Sequence, residues 1–311
     1  MIPPSVQKEH TTRERFHFMA RVLKIGTRSS PLAMVQATYA RDLLIQAGLE
    51  ATILPLTTSG DTLVDKCLKD LGGKALFTKE LECALLEERI DLAVHSLKDV
   101  EHTRPEGLAI ACVPERADPR DAFIGNTSFE RLPHGAVLGT SSPRRAAQAL
   151  LMRPDLTIVP FRGNVGTRLT KLENGVASGT FLAAAGLKRL GMTLPKMQIL
   201  NPRTMVPAAG QGALAFECRA DDAALIQALE AHEDPLSRAC VEMERSFLRI
   251  LGGDCHTPVG VLVASHEDAW ESFVFVNAPD PKRHHITGTR ASVEDALMRL
   301  AQETHQCLAS S

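Results

Sequence analysis

One cysteine stands apart by its surroundings. Cys255 lies in the run Leu251-Gly252-Gly253-Asp254-Cys255-His256-Thr257-Pro258-Val259-Gly260. Glycines precede it, and a proline and a glycine follow closely, so a helix does not run through it and the segment reads as an exposed loop. A thiol held on a loop is open to chemistry. Elsewhere, Arg, Lys and Ser residues fall where strands end and helices begin, the edge at which open α/β sheets take ligands. Three such runs occur: Thr27-Arg28-Ser29-Ser30, Gly139-Thr140-Ser141-Ser142-Pro143-Arg144-Arg145, and Arg162-Gly163-Asn164-Val165-Gly166-Thr167-Arg168. Helix N-termini offer free N–H groups to anions, and the Arg fork matches a carboxylate. Three anion sites suggest a ligand with several negative groups. Each run also has a plainer reading: Ser-Pro as a helix cap, Arg144-Arg145 as a solvated face, and the lone Gly163-x-x-Gly166 as weak evidence for phosphate.

Two more runs belong to this set. In His95-Ser96-Leu97-Lys98-Asp99-Val100 an apolar strand ends at a Ser, a Lys and an Asp. An acid beside a base at a strand end fits a catalytic group; a surface ion pair of little worth is the alternative. His95 reads as a hydrogen-bonded strand residue rather than a metal ligand. Gly72-Gly73-Lys74-Ala75-Leu76-Phe77 reads as a flexible loop, either a lid or a loop anchored by Leu76 and Phe77.

These groups need a scaffold, and the bulk composition provides for one. The chain has 311 residues, 44% hydrophobic and 23% charged, which suits two or three soluble domains. A formal net charge of −2 argues against nucleic acid as a partner, and 4% aromatics argues against a base-stacking platform. The seven cysteines are an odd number without a CxxC pair, which fits a reducing compartment with no disulfide framework. No zinc-type ligand cluster is visible, so no metal is expected. No apolar run is long enough for a membrane span. Residues 1–19 lack the apolar centre of a secretory signal and read as a disordered leader, with Met19 as a possible start.

The first half alternates strand and helix. Strands are expected at Arg21–Gly26, Ala51–Thr57, Ile90–His95 and Leu108–Val113. Ser30 caps a helix that opens on Pro31, carries Leu32, Val35, Tyr39 and Leu43 on one face, and stops at Gly48. Pro114–Asp121 reads as a crossover into a second series. There, strands at Ala136–Gly139, Thr157–Phe161 and Thr180–Ala184 alternate with helices from Pro143, Gly166 and Gly186. Such alternation implies two α/β domains with largely parallel sheets. A second crossover, Asn201–Gly212, leads to Ala213–Cys218, a strand suited to return to the first domain. Helices at Asp221–Ala231 and Pro235–Ile250, three strand-like runs and a helix at Val293–Cys307 follow.

Taken in order, the runs resemble the porphobilinogen deaminase (hydroxymethylbilane synthase) family. The resemblance rests on Ile25–Ala33, Gly72–Glu82, His95–Val100, Gly139–Arg145, Arg162–Arg168, Ala185–Gly191, Pro207–Arg219 and the Cys255 loop, and runs from about Arg21 to about Gly260. It implies two type II periplasmic-binding-protein-like α/β domains plus a small C-terminal α+β domain. Their expected bounds are 20–115 with 213–231, 119–207, and 236–311. It further implies an enzyme that joins four porphobilinogen molecules head to tail, releases ammonia and yields hydroxymethylbilane. The prosthetic group would be dipyrromethane, held by a thioether to Cys255, and Asp99 would be the catalytic carboxylate. Arg28, Lys74, Lys98, Arg144, Arg145, Arg162, Arg168 and Arg189 would meet the acetate and propionate groups of cofactor and substrate. Ser30, Ser96, Thr140 and Ser142 would add hydroxyl contacts, and Phe77 would stack on a pyrrole ring or close the site.

Three positions depart from the family's habit: Asp254 and Asp70, where Gly and Lys are frequent, and Glu101, where Pro is usual. A carboxylate at 254 is expected to raise the pKa of the neighbouring thiol. A monomeric cytoplasmic enzyme is the expectation, with no nucleic-acid or membrane partner. The alternative from another class is a non-catalytic anion-binding protein of the type II periplasmic kind. It accounts for the α/β domains and the strand-end cations, but not for the Cys255 domain.

Overall fold

The computed structural model describes residues 21–56, 78–252, 258–277 and 281–309. Within these the chain forms three sheets and eight described α-helices. The strands are β1 (Leu23–Arg28), β2 (Ala51–Leu56), β3 (Leu92–Ser96), β4 (Leu108–Cys112), β5 (Asp121–Gly125), β6 (Val137–Gly139), β7 (Thr157–Val159), β8 (Gly179–Ala183), β9 (Met197–Ile199), β10 (Leu214–Arg219), β11 (Val259–His266), β12 (Ala269–Asn277) and β13 (Pro281–Gly288). The helices are α1 (Pro31–Gln46), α2 (Lys79–Leu86), α3 (Pro143–Met152), α4 (Val165–Glu173), α5 (Ala184–Arg189), α6 (Ala223–Glu230), α7 (Pro235–Leu251) and α8 (Arg290–Ala309).

The chain divides into two compact units. The first gathers the described residues up to His95 with Arg104–Pro114 and Leu214–Asp234. Its sheet has the order β2-β1-β3-β10-β4, so the strand expected to return from the second half does so. β1 pairs parallel to β2 and β3, whereas β10 and β4 are antiparallel. Leu92–His95 of β3 are buried on both faces, in keeping with a nearly unbroken apolar run.

α1 begins as expected. The Ser30 hydroxyl accepts from Ala33 N at 3.3 Å, and Pro31 occupies the first turn. It ends in a Schellman turn: Gly48 takes φ +79°, its N–H donates to the Ile45 carbonyl, and Leu49 N donates to the Leu44 carbonyl. The buried face differs from the expected one. Ala33, Gln36, Ala37, Ala40 and Leu44 are buried, while Val35 and Tyr39 are exposed. The alanine row has the same helical spacing as the bulkier row, and its small side chains let the helix lie close on Leu23, Ile25 and Leu92.

The second unit comprises Ser96–Thr103, Glu115–Ala213 and the residues from Pro235 onward. One of its sheets runs β7-β6-β8-β5-β9. β6 is parallel to β7 and β8, but β5 is antiparallel to β8 and β9. The sheets are therefore mixed rather than largely parallel. β5 was hidden at the end of the expected crossover: Ala122, Phe123 and Ile124 form too short an apolar run to stand out beside Arg120 and Asp121. The last sheet, β11-β12-β13, is antiparallel and packs with α7 and α8 around Phe247, Val261, Val274 and Leu297. No described helix is long and apolar enough to cross a membrane.

Candidate functional site

The second unit brings most of the expected groups together. β3 ends in a single 3₁₀ turn, Leu97–Asp99. Leu97 is buried and its N–H donates to the Ala213 carbonyl at 3.0 Å, while Arg245 NH1 donates to the Val100 carbonyl at 2.9 Å. The turn is thus tied down on both sides of Lys98 and Asp99. Gly210 lies against it with φ +70°, and a Cβ there would sit 3.2 Å from Lys98 N. Asp99 is exposed and Lys98 half-buried.

Beside this turn stands a buried ionic lattice. Asp121, the first residue of β5, is wholly buried and carries Arg144 and Arg145, both from the first turn of α3. Arg144 NH1 donates to Asp121 Oδ2 at 2.7 Å and to the Val206 carbonyl at 2.6 Å. Arg145 donates from Nε and NH2 to Asp121 Oδ1 at 3.1 and 2.6 Å, and from NH1 to the Phe181 carbonyl at 2.9 Å. Burial alone would push the Asp121 carboxyl up; the two guanidinium charges and their hydrogen bonds outweigh it and hold the group well below the carboxylate range. The Arg pair is therefore neither a solvated face nor a pair of extended arms. It is a fixed internal charge.

The lattice acts on its neighbours. Lys98 keeps some solvent contact but is enclosed by protein on most sides, and burial lowers its pKa to about 8, with Asp99 opposing the shift and Arg145 adding to it. Arg168, half-buried on α4, is lowered to about 10 by burial, again with Arg145 adding and Asp99 opposing. Its Nε donates to the Gly163 carbonyl at 2.9 Å. Among the described residues, Lys98 feels Arg144, Arg145, Asp99 and Asp121, and Arg168 feels Arg145 and Asp99, so four cations gather with two carboxylates. A site with this surplus fits a polycarboxylate such as dipyrromethane, and the depressed Lys98 and Arg168 are the groups that gain from an added anion.

The remaining expected residues are placed as follows. Ser142 caps α3, accepting from Arg145 N at 3.4 Å, and buried Thr140 accepts from Ser142 N at 3.2 Å. Half-buried Arg162 precedes α4; Arg189 ends α5 and donates from NH2 to the Gly212 carbonyl at 2.7 Å. Ser96 is the last residue of β3. Arg28 and Ser30 belong to the first unit, at the end of β1 and the cap of α1. Cys255, Lys74 and Phe77, with the departures at Asp70 and Asp254, lie outside the described residues. His95 is a hydrogen-bonded strand residue as expected, with Nε2 2.8 Å from the buried Glu217 carboxylate, which Arg104 also meets. No group of His, Cys, Asp and Glu suited to a metal occurs among the described residues.

Two residues escaped sequence reasoning. Asp121 was counted within a crossover, and Gln211 was a loop residue without an assigned role. Gln211 is wholly buried between Asp121 and Lys98. The one local hint was a charged residue directly before the apolar Ala122–Ile124.

Residues 23–227 match the family model described as porphobilinogen deaminase, dipyromethane cofactor binding domain. The chain is also 49% identical over 239 residues to a porphobilinogen deaminase of Albidiferax ferrireducens (strain ATCC BAA-621 / DSM 15236 / T118), covering 76% of each chain. The chain belongs to the porphobilinogen deaminase family. The matched domain is described as the one that binds the dipyrromethane cofactor. Among solved structures, the chain resembles a periplasmic substrate-binding protein of an ABC transporter from Coxiella burnetii, at 14% identity and TM-score 0.44, covering 70% of this chain and 94% of that one. It also resembles a methionine-bound nutrient-binding protein from Burkholderia cenocepacia, at 15% identity and TM-score 0.44, covering 69% and 92%.

Proposed function

We propose that this chain is an active porphobilinogen deaminase. It is a transferase that condenses four porphobilinogen molecules head to tail, with loss of ammonia, to hydroxymethylbilane. It works in the cytoplasm as a monomer, on a dipyrromethane primer joined by a thioether to Cys255. The observation that carries this reading is the cluster of Lys98, Arg144, Arg145 and Arg168 near an exposed Asp99.

Dipyrromethane, when bound, supplies the pyrrole end to which each new unit is joined. The protein's own groups do the rest. Lys98 and Arg168 each retain solvent contact and meet ligand carboxylates, while Arg144 and Arg145, fixed on Asp121, add a field that needs no reorganisation. Arg162 and Arg189, with the Ser96, Thr140 and Ser142 hydroxyls, extend the binding set within this unit. The Asp99 carboxylate accepts a pyrrole N–H and faces the positive charge that develops as ammonia leaves. Its oxygens also take the proton lost at the new ring junction and pass it to the departing ammonia, which leaves as ammonium.

The test is turnover of porphobilinogen by the purified protein and its Asp99→Asn variant. Wild type should release ammonia and form the linear tetrapyrrole; the variant should fall by about 10²-fold or more, in line with loss of a preorganised charge-stabilising group, while still binding substrate. Wild-type turnover at the uncatalysed rate, or an unimpaired variant, would overturn the reading.

A further inference from the structure

Gln211 lies in the loop before β10 and is wholly buried. Its amide faces groups of opposite charge. Nε2 donates to the Pro119 carbonyl at 2.7 Å and to Asp121 Oδ1 at 3.1 Å, and Oε1 accepts from Lys98 Nζ at 3.3 Å. Those partners fix which way the amide is turned. A carbonyl and a carboxylate only accept, and an ammonium only donates, so a flipped amide would set oxygen against oxygen and N–H against N–H. The backbone is held as firmly: the Gln211 carbonyl accepts from Arg116 Nε at 2.9 Å, and its N–H donates to the Ala208 carbonyl at 3.0 Å.

Asp121 is already committed to the two guanidinium groups and the Gln211 amide. Its Oδ1 already accepts from Arg145 Nε, Arg145 NH2 and Gln211, and its Oδ2 accepts from Arg144. Three donors thus share the two lone pairs of Oδ1, and Arg144 holds Oδ2. What reaches Lys98 instead is the carbonyl end of an amide polarised by that carboxylate. A lysine on a flexible four-carbon stem needs such an anchor to hold one place. An ammonium has three donors, and Gln211 takes one.

We propose that Gln211 is the positioning residue of Lys98: its amide relays the Asp121 anchor to the ammonium and fixes it where it meets a ligand carboxylate. This rests on Lys98 as a carboxylate-binding group, the role given it above. The test therefore uses a readout independent of turnover.

Competitive labelling of the purified holoprotein with acetic anhydride, read peptide by peptide by mass spectrometry, titrates Lys98 directly, because only the neutral amine is acylated. Exposed Lys188 is the internal standard. Gln211→Met keeps the length and removes the acceptor, so Lys98 should titrate at lower pH, by about one unit, and be roughly tenfold more reactive near neutrality. Gln211→Glu sets a carboxylate beside the ammonium, so Lys98 should titrate higher and be roughly tenfold less reactive. Opposite displacements with Lys188 unmoved are the expected result. An unmoved Lys98, or displacement in the same direction in both variants, overturns the proposal. Should Gln211→Met unfold, the Gln211→Glu variant decides alone: an upward displacement supports the role, and none or a downward one ends it. An inactive wild type would instead sink the enzymatic reading and leave the labelling result standing.

Discussion

Replacing Asp121 by Asn removes one charge and almost no volume, so its effect isolates the ionic lattice. The carboxylate accepts four hydrogen bonds at 2.6–3.1 Å, three of them from guanidinium groups that are themselves buried. Asn keeps one acceptor and turns an amide NH₂ toward cations. Leaving a buried charge without its partner costs about 3–5 kcal/mol. With urea slopes of roughly 1–3 kcal/mol per molar for small proteins and more for larger ones, the midpoint should fall by about 1–2 M. The sole tryptophan, Trp270, lies in β12 of the same unit, so its fluorescence reports on the part of the chain that holds Asp121. Asp42→Asn is the control: its pair with Arg41 is exposed, and the midpoint should barely move. The pH dependence carries the same signature. The folded carboxyl is held below its unfolded value of about 3.9, so its stabilisation is present above about pH 4 and is lost as pH falls further. Wild type should weaken between pH 4 and 2 more steeply than Asp121→Asn. An unchanged midpoint with an unchanged slope in the variant would refute the reasoning.

Three further outcomes follow from the same geometry. Glu244 is wholly buried and accepts from Arg116 NH1 and NH2, Gly210 N and Val263 N at 2.7, 3.0, 2.7 and 2.8 Å. Glu244→Ala strands all four donors and should cost about 3–5 kcal/mol in the urea assay; a change below 1 kcal/mol would contradict it. Gly210→Ala forces a left-handed residue and presses a Cβ to 3.2 Å from Lys98 N, so it should destabilise by about 1–2 kcal/mol. It should also raise KM, and wild-type values in both measurements would count against the packing of the turn. Lys98 is charged below about pH 8 and loses its charge above, so KM for the anionic substrate should rise between pH 7.5 and 9.5, and Lys98→Arg should flatten that rise. A flat wild-type profile would remove Lys98 from the binding set.

What local spacing encodes was legible, and what long-range pairing decides was not. Ser30 and Ser142 each cap the helix that follows, because a cap needs only neighbours three residues away. The apolar run that leads into His95 was likewise read as a strand from its own residues. The choice between the alanine row and the larger row of α1 depended on how closely the sheet would approach, which the helix sequence does not contain. Asp121 and Gln211 escaped for a related reason. Asp121 meets its guanidinium partners 23 and 24 positions away, and the Gln211 amide meets partners 90 to 113 positions away. Arg144 and Arg145 were found from their type and strand-end position, but their burial on a single carboxylate was not, since nothing local ties α3 to β5.

The most direct measurement is the intact mass of the purified protein beside that of Cys255→Ser. A covalent dipyrromethane predicts a mass excess of two linked pyrroles in wild type and its complete loss in the variant. A wild-type mass equal to that of the bare polypeptide, or an adduct that survives in Cys255→Ser, would contradict it.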